Sequence, residues 1–132
     1  MNDDCIFCKI AAKTVPSNMV YEDDKFFGFL SRGPVSKGHT LLIPKDHYVW
    51  MQDLPDDLLS QSFLITKKIM KVIKKSFGCD YVQIWISGEE IPHFHIHLFA
   101  RWFNDGVVDF KHVEYETELE KEEYANKIKN SL

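Results

Sequence analysis

The segment between residues 92 and 101 constrains the fold of this chain more than any other. Three histidines alternate there with three large apolar residues; in order, the six are His93, Phe94, His95, Ile96, His97 and Leu98. A period of two predicts a β-strand with one polar and one apolar face, so the three imidazoles should share a face at spacings of roughly 6.5 to 7 Å. Half of the chain's six histidines fall within these five positions. This clustering indicates a functional site.

Two kinds of site fit a row of three imidazoles. The first is a zinc site of a metalloenzyme, which needs a third ligand and an open coordination position. The second uses a neutral imidazole as nucleophile and general acid or base, with one ring nitrogen oriented by a hydrogen bond. In the second, the middle ring of His95 would serve the reacting atom. The segment alone leaves both interpretations open.

Composition and charge limit the range of functions. The chain has 132 residues, of which 45% are hydrophobic and 14% aromatic, enough for the core of one domain. A formal net charge of -4 without a long basic run argues against binding DNA or RNA through backbone phosphates. The acidic start at residues 1–4 is unlike a secretory signal, and no apolar run reaches membrane-spanning length. We therefore expect a cytoplasmic protein with no nucleic-acid or membrane partner.

Hydrophobic runs predict an α+β domain in which one long helix covers a face of an antiparallel sheet. A short helix should begin at Cys5 and stop before Pro16. Two strands within residues 19–30 should form a hairpin, followed by a strand at 39–44 and a fourth strand at 81–86. The histidine segment is the fifth strand.

The long helix is predicted to have Asp53 as its N-cap and to end at Phe77, before Gly78. Its predicted apolar stripe repeats at spacings of four and three and contains Leu59, Phe63, Thr66, Met70, Ile73 and Phe77. A further segment at 117–129 could form a helix that lies on the surface or contacts a partner.

The cysteines indicate a metal site. Cys5 and Cys8 form a Cys-x-x-Cys pair and Cys79 stands apart; in a reducing compartment such a pair favours metal binding over a disulfide. Structural zinc takes four thiolate and imidazole ligands, and His47 and His93 are the candidates for the remaining two. The alternative is that the two thiols are small buried apolar groups.

Three ordered motifs make the chain resemble the histidine triad (HIT) family. Residues 93–99 match the motif of three histidines separated by apolar residues, and residues 38–47 (Gly-His-Thr-Leu-Leu-Ile-Pro-Lys-Asp-His) resemble the second signature of the family. Residues 5–10 resemble the N-terminus of its zinc-carrying bacterial members. The resemblance implies a HIT-like domain at residues 1–101, with a five-stranded antiparallel sheet and commonly a homodimer. Residues 102–132 would be a C-terminal tail that belongs to the same domain or contacts the dimer partner.

The resemblance also implies roles for individual residues. His95 would attack the α-phosphate of a nucleotide and carry the nucleotidyl group until water removes it, while the backbone carbonyl of His93 holds its other ring nitrogen. His39 and His97 would contact phosphate oxygens. A structural zinc ion would be held by Cys5, Cys8, His47 and His93. The positions expected to enclose the base are Ile6, Phe7 and Phe29.

Three departures from the family pattern concern substrate recognition. Ser31 stands where relatives carry a ribose-binding acidic residue, and Ile86 stands where they carry an asparagine. The loop before the histidines is short and contains Glu89 and Glu90, whose carboxylates would repel a phosphate unless they point away or are neutralised. The resemblance implies a hydrolase or transferase of purine nucleoside phosphoramidates. The alternatives are a dinucleoside polyphosphate hydrolase and a non-catalytic nucleotide-binding or partner-binding module.

Overall fold

The computed structural model describes residues 2–108 and 112–132, and within them five strands form one antiparallel sheet. The strands are β1 (Met19–Glu22), β2 (Phe26–Leu30), β3 (Thr40–Pro44), β4 (Tyr81–Trp85) and β5 (Ile96–Arg101). Their order in the sheet is β1-β2-β3-β5-β4, so β5 lies between β3 and β4. The predicted α+β class and the five-stranded antiparallel sheet are confirmed.

In the described part of the chain, three helices accompany the sheet: α1 (Ile6–Ala11), α2 (Asp56–Phe77) and α3 (Glu118–Ser131). A turn of 3-10 helix at Met51–Asp53 precedes α2. The short N-terminal helix and the long helix were both predicted, and Gly78 ends α2 in the left-handed conformation, with φ of 62°. None of the described helices is long and apolar enough to cross a membrane.

The sheet separates two apolar layers, because successive side chains of a strand point to opposite faces. One layer lies between the sheet and α2; its buried members are Phe26, Leu42, Leu54, Leu58, Ile69, Ile73, Cys79, Phe94, Ile96, Leu98 and Ala100. The other lies between the sheet and α1 and contains Cys5, Phe7, Cys8, Ile10, Ala11, Phe27, Phe29, Leu41 and Ile43. His93, His95 and His97 therefore face the α1 side, while the apolar residues between them face α2.

The histidine segment is less regular than its alternation predicts. β5 begins at Ile96, so His93 and His95 lie in the extended approach to the strand, outside it. β3 pairs with β5 at Leu42↔Ile96 and no earlier, and Pro92 supplies no N–H for a ladder hydrogen bond. The alternation of faces nevertheless holds through the approach.

Two predictions for α2 were wrong. The N-cap is Pro55, since the helix starts at Asp56; Asp53 lies in the preceding turn, where its carboxylate accepts a hydrogen bond from the Trp50 N–H at 3.3 Å. The buried stripe is also rotated from the predicted one: it consists of Leu58, Ser62, Thr66, Ile69 and Ile73, of which Thr66 and Ile73 belong to the predicted stripe.

The rotation of the helix has a physical cause. The hydroxyl groups of Ser62 and Thr66 donate to the backbone carbonyls of Leu59 and Ser62 at 2.7 and 2.8 Å. Their hydrogen bonds are thus satisfied within the helix, and these small side chains can be buried without penalty. Phe63 and Phe77 are left exposed.

The segment after β5 packs against the sheet before the chain reaches α3. Arg101 forms an ion pair with Asp105, with 2.7 Å between Nε and Oδ2, and the Phe103 ring stacks on Tyr81 with centroids 6.0 Å apart. Thr117 caps α3 by accepting a hydrogen bond from the Glu120 N–H. Every residue of α3 is exposed except half-buried Glu120, so the predicted C-terminal helix is present and lies on the surface.

Candidate active site and metal centre

His95 presents one unprotonated ring nitrogen that no described residue occupies. Its Nδ1 lies 2.6 Å from the carbonyl oxygen of His93. A carbonyl can only accept a hydrogen bond, so Nδ1 must carry the hydrogen and donate it. In the neutral ring, Nε2 therefore keeps its lone pair. An imidazole in this state can attack an electrophile.

A chain of hydrogen bonds fixes His97 and His39 in the opposite tautomer, which carries its hydrogen on Nε2. The Val35 N–H donates to His39 Nδ1 at 3.0 Å, so a neutral His39 carries its hydrogen on Nε2. That nitrogen lies 2.9 Å from His97 Nδ1 and donates to it. His97 must then carry its hydrogen on Nε2. His97 is thus a hydrogen-bond donor, and its ring lies beside that of His95, with centroids 4.7 Å apart.

The loop before β3 holds this chain of hydrogen bonds in place. The Ser36 hydroxyl donates to the Ala100 carbonyl at 2.8 Å, which ties the loop before β3 to β5. Gly38 has φ of 90°, and a Cβ at this position would lie 2.4 Å from the Phe77 ring. Only glycine fits both requirements. The Val35 amide therefore meets His39 in a constrained geometry.

Burial keeps these imidazoles neutral. The pKa of both His39 and His97 is lowered to about 4, chiefly by loss of solvation and in smaller part by the neighbouring histidines. Burial likewise lowers the pKa of His95, although its hydrogen bond to the His93 carbonyl and the nearby Glu90 carboxylate act in the opposite direction. All three rings are therefore uncharged near neutral pH, as the assignment of hydrogens above requires.

A pocket of about 300 Å³ opens in front of His95 and His97. The predicted substrate residues on its wall are Ile6, Phe7, Phe29, Ser31 and His97. His39 is not part of the lining, because both of its nitrogens are engaged away from the pocket. Sequence reasoning did not assign to the pocket Ile10, Arg32, Gly33, Leu41 or Ile91. Glu90, which was noted only as a source of repulsion, also lies on the wall.

Aromatic rings form one side of this pocket. Phe7 lies edge-on to Phe29, with centroids 5.4 Å apart, and edge-on to His95, with centroids 5.0 Å apart. The His95 and His97 rings are 4.7 Å apart. The arrangement can take a flat apolar group between Phe7, Phe29 and the neighbouring aliphatic residues, and an anionic group against His97.

A second cluster brings together the four residues predicted to hold zinc. The ligand atoms of Cys5, Cys8, His47 and His93 all lie within 4.8 Å of one another. His93 Nδ1 is 3.4 Å from Cys5 Sγ and 3.5 Å from Cys8 Sγ, and His47 Nδ1 is 3.3 Å from Cys8 Sγ. Tetrahedral zinc with ordinary bond lengths places sulfur and nitrogen ligands about 3.5 Å apart. The donor set and its spacing therefore fit zinc.

A hydrogen bond to the backbone orients the His93 ring toward this cluster. Its Nε2 lies 2.8 Å from the carbonyl oxygen of Pro44 at the end of β3, so Nε2 carries the hydrogen and Nδ1 offers its lone pair to the thiols. Cys5 and Cys8 are placed one helical turn apart at the start of α1, where Cys5 is the N-cap. Phe7, between them in sequence, contacts His93 as well as His95. The metal cluster and the pocket therefore share the first turn of α1.

Comparison with known proteins gives a consistent picture. The HIT domain model matches residues 12–104. An uncharacterized HIT-like protein from Methanocaldococcus jannaschii is 40% identical over 109 residues, covering 79% of this chain and 84% of the relative. The adenosine 5'-monophosphoramidase of Saccharomyces cerevisiae is 34% identical over 98 residues, covering 74% of this chain and 62% of the relative.

Solved structures agree. A member of the HIT family from Bacillus subtilis superposes with a TM-score of 0.86 at 32% identity, covering 98% of both chains. A zinc-bound histidine triad family protein from Mycobacterium smegmatis gives a TM-score of 0.73 at 26% identity, covering 97% of both chains. With the family model matching most of its length and the triad, sheet and helices in place, this chain belongs to the HIT family.

Proposed function

We propose that the protein is a nucleotide hydrolase that acts at the α-phosphate through a nucleotidyl intermediate on His95 Nε2, with purine nucleoside phosphoramidates as its preferred substrates. The observation that carries this proposal is that two imidazoles on the pocket wall have different tautomers: His95 offers a lone pair and His97 offers an N–H. A nucleophile next to a donor for phosphate oxygens is what transfer from phosphorus requires.

The proposed reaction has two steps. In the first, the His95 Nε2 lone pair forms a bond to phosphorus while the P–N bond of the substrate breaks; the leaving nitrogen keeps the electron pair and takes a proton from solvent. The ring then has bonds on both nitrogens, and the His93 carbonyl accepts from Nδ1–H and stabilises its positive charge. In the second step, water attacks phosphorus and loses a proton to solvent, the P–Nε2 bond breaks with its electron pair returning to Nε2, and the nucleoside monophosphate leaves.

His97 contacts the phosphate oxygens in this scheme, and His39 supports it. The Nε2–H of His97 donates to an oxygen of the α-phosphate and stabilises its developing charge. His39 acts through His97, whose hydrogen it fixes. The pair is a poor source of the proton for the leaving group, because the chain ends at the Val35 amide N–H, which cannot supply a replacement.

The substrate class rests on the pocket and on the relatives. Phe7 and Phe29 offer an apolar surface for a base, and Ile6 lies beside them on the wall. The yeast relative described above is named for action on adenosine 5'-monophosphoramidate. Ser31 Oγ accepts a hydrogen bond from the Gly33 N–H at 3.2 Å, and its hydroxyl hydrogen remains available to a ribose oxygen. We place the base and ribose on this side of the pocket.

We further propose that Cys5, Cys8, His47 and His93 hold a structural zinc ion. The ion would join α1 to the approach of β5 and neutralise the two thiolates. These residues hold the first turn of α1, and with it Phe7, against the pocket. Reduced thiols in this set fit a cytoplasmic protein, which is the location that we propose.

We also propose a homodimer joined at the edge of the sheet. β4 is an edge strand, and Tyr81, Ile84 and Trp85 on it are exposed, as is Phe63 on α2. Residues 102–132 would belong to the same unit, since the Arg101–Asp105 ion pair fixes the start of this segment. Sedimentation showing monomers at micromolar concentration would contradict the dimer.

Replacement of the proposed nucleophile tests the function. We expect the parent protein to hydrolyse adenosine 5'-phosphoramidate and His95→Ala to lower kcat by roughly 10⁴-fold or more, measured by release of AMP. The matched control is His112→Ala, because His112 is exposed and lies outside the pocket lining. Absence of turnover in the parent, or undiminished turnover in His95→Ala, would refute the proposal.

A further inference from the structure

An unpaired carboxylate lies on the wall of the active-site pocket. Glu90 lines the pocket together with His95 and His97, and its side chain is exposed to solvent. Among residues 2–108 and 112–132, no hydrogen bond or ion pair engages this carboxylate. It is nevertheless close enough to His95 to act electrostatically on the ring. A carboxylate this close to the site of an anionic phosphate is unfavourable unless the ligand also brings a positive charge.

The rest of the lining shows which kind of ligand would balance it. Arg32 is the basic residue on the wall; its guanidinium donates to the Pro16 carbonyl at 3.1 Å and forms no ion pair with Glu90. The hydrogen bonds described above make His95 and His97 neutral rings, because the His93 carbonyl accepts from His95 Nδ1–H and His97 Nδ1 accepts from His39. The pocket therefore carries one fixed positive and one fixed negative charge that do not cancel each other. A complementary ligand has an apolar ring, an anionic group and a separate cationic group.

The position of the cationic group follows from the proposed reaction. The base occupies the apolar side formed by Phe7 and Phe29, and the α-phosphate lies against His95. Glu90 lines the same pocket as His95 and His97, and its carboxylate acts electrostatically on the His95 ring, against which the α-phosphate would lie. The part of a substrate beyond the α-phosphate is the leaving group. The leaving group is thus the part that meets Glu90.

We propose that Glu90 selects substrates whose leaving amine carries a positive charge, so that the preferred class is nucleoside phosphoramidates of diamines and related cationic amines. This inference rests on the proposed nucleotidyl transfer to His95. The carboxylate pairs with the cationic substituent while the P–N bond breaks, and the departing nitrogen takes its proton from solvent. The same charge repels anionic leaving groups such as sulfate or a polyphosphate, which disfavours dinucleoside polyphosphates as substrates.

Two substrates of equal shape test the proposal. AMP joined through its phosphate to 1,3-diaminopropane has a terminal ammonium group, and AMP joined to butylamine has a methyl group in its place. We expect the parent to have a kcat/KM about fivefold higher for the ammonium substrate. This ratio corresponds to the upper end of the interaction free energies of solvent-exposed ion pairs. The preference should shrink as salt is added.

Three variants show whether Glu90 causes the preference. Glu90→Gln removes the charge at nearly constant shape, and the ratio of the two kcat/KM values should fall to about one. Glu90→Lys should invert the ratio and raise the relative turnover of adenylyl sulfate, whose leaving group is anionic. Glu89→Gln is the matched control, because Glu89 is the neighbouring exposed carboxylate and lies outside the pocket lining; it should keep the parent ratio.

The outcomes separate this inference from the proposed function. If the parent hydrolyses both substrates with equal kcat/KM, or if Glu90→Gln keeps the parent ratio, then Glu90 does not select the leaving group, while the loss of turnover in His95→Ala still supports the hydrolase. If the parent hydrolyses neither substrate, both the function and the inference fail. A drop in ratio with Glu89→Gln equal to that with Glu90→Gln would also overturn the assignment to Glu90.

Discussion

Histidine side chains occur in two different settings in this molecule. One is the metal cluster of Cys5, Cys8, His47 and His93, and the other is the active-site row of His39, His95 and His97. His93 and His95 are two residues apart, both are buried, and both lie in the approach to β5. His93 donates from Nε2 to the Pro44 carbonyl and turns Nδ1 toward two thiols. His95 donates from Nδ1 to the His93 carbonyl and keeps Nε2 for the pocket. The backbone acceptor that each ring meets decides which nitrogen is available.

The difference explains why three clustered histidines need not share a metal ion. Of His93, His95 and His97, only His93 faces the thiol groups of Cys5 and Cys8. The fourth member of the cluster is His47, which is distant in sequence. His95 and His97 face each other and the pocket, and His97 is bound through His39 to a backbone amide. The proposed nucleophile has to stay free of metal, and the hydrogen bonds of the two rings, which are separated by one residue, fit the two proposed roles.

The largest expected effect comes from removing the metal cluster alone. We expect the double variant Cys5→Ser, Cys8→Ser to lose its zinc and to unfold at a temperature lower by about 10 °C or more, because a structural metal contributes directly to folding free energy. Zinc content by mass spectrometry and thermal unfolding measure both. Cys79→Ser, a buried cysteine outside the cluster, should keep its zinc. Loss of zinc from His95→Ala as well would erase the distinction between the clusters.

A smaller effect is expected from breaking the hydrogen-bond chain in the active-site row. His39→Phe retains a ring beside Phe99, whose centroid lies 5.0 Å from that of His39, but leaves His97 Nδ1 without its donor. The hydrogen of His97 is then no longer fixed on Nε2. We expect kcat/KM to fall by about ten- to a hundredfold with zinc content unchanged. His39→Gln, which keeps an N–H donor, should retain more activity; equal loss in both variants would mean that ring packing is the cause.

The smallest effect is on the pH dependence of stability. The pKa values of His39 and His97 are about 4 in the folded protein, below the value of about 6.5 for an unperturbed histidine. The unfolded chain therefore binds protons that the folded protein excludes, so this stability is present above pH 6.5 and is lost as the pH falls toward 4. We expect the free energy of unfolding to decrease by on the order of 1 kcal/mol per pH unit in that window.

Urea unfolding at a series of pH values measures this slope. The slope should be shallower in His39→Phe, which removes one of the two titrating rings. A slope that is the same in the variant would assign the acid sensitivity to other groups, such as those of the metal cluster.

Sequence predicted the fold well where side-chain patterns record it. The alternation in the triad segment assigned each residue to the correct face, and the Cys-x-x-Cys pair with two distant histidines identified the atoms that now lie within 4.8 Å. The apolar pattern of α2 was less informative, because Phe63 and Phe77 are as apolar as the residues that are buried. Ser62, which lies outside the predicted stripe, could be placed in the core only after its hydroxyl group was seen to bond within the helix.

The resemblance implied the hydrogen bond between His95 and the His93 carbonyl, but the protonation states of His93, His39 and His97 were beyond sequence reasoning for a different reason. They depend on the carbonyl of Pro44 and the amide of Val35, and backbone groups are the same in every residue. The resemblance to the HIT family implied that His39 contacts phosphate oxygens, whereas its two ring nitrogens are engaged with Val35 and His97. The contribution of Glu90 to the pocket likewise depends on how a short loop folds, which composition does not reveal.

Nitrogen-15 NMR of the histidine side chains tests the central claim most directly, because the two tautomers of a neutral imidazole give distinct patterns of ring nitrogen shifts and couplings. At neutral pH we expect His95 to carry its hydrogen on Nδ1 and His93 to carry it on Nε2. Finding His95 protonated on Nε2, or finding His93 and His95 in the same tautomeric state, would contradict the account.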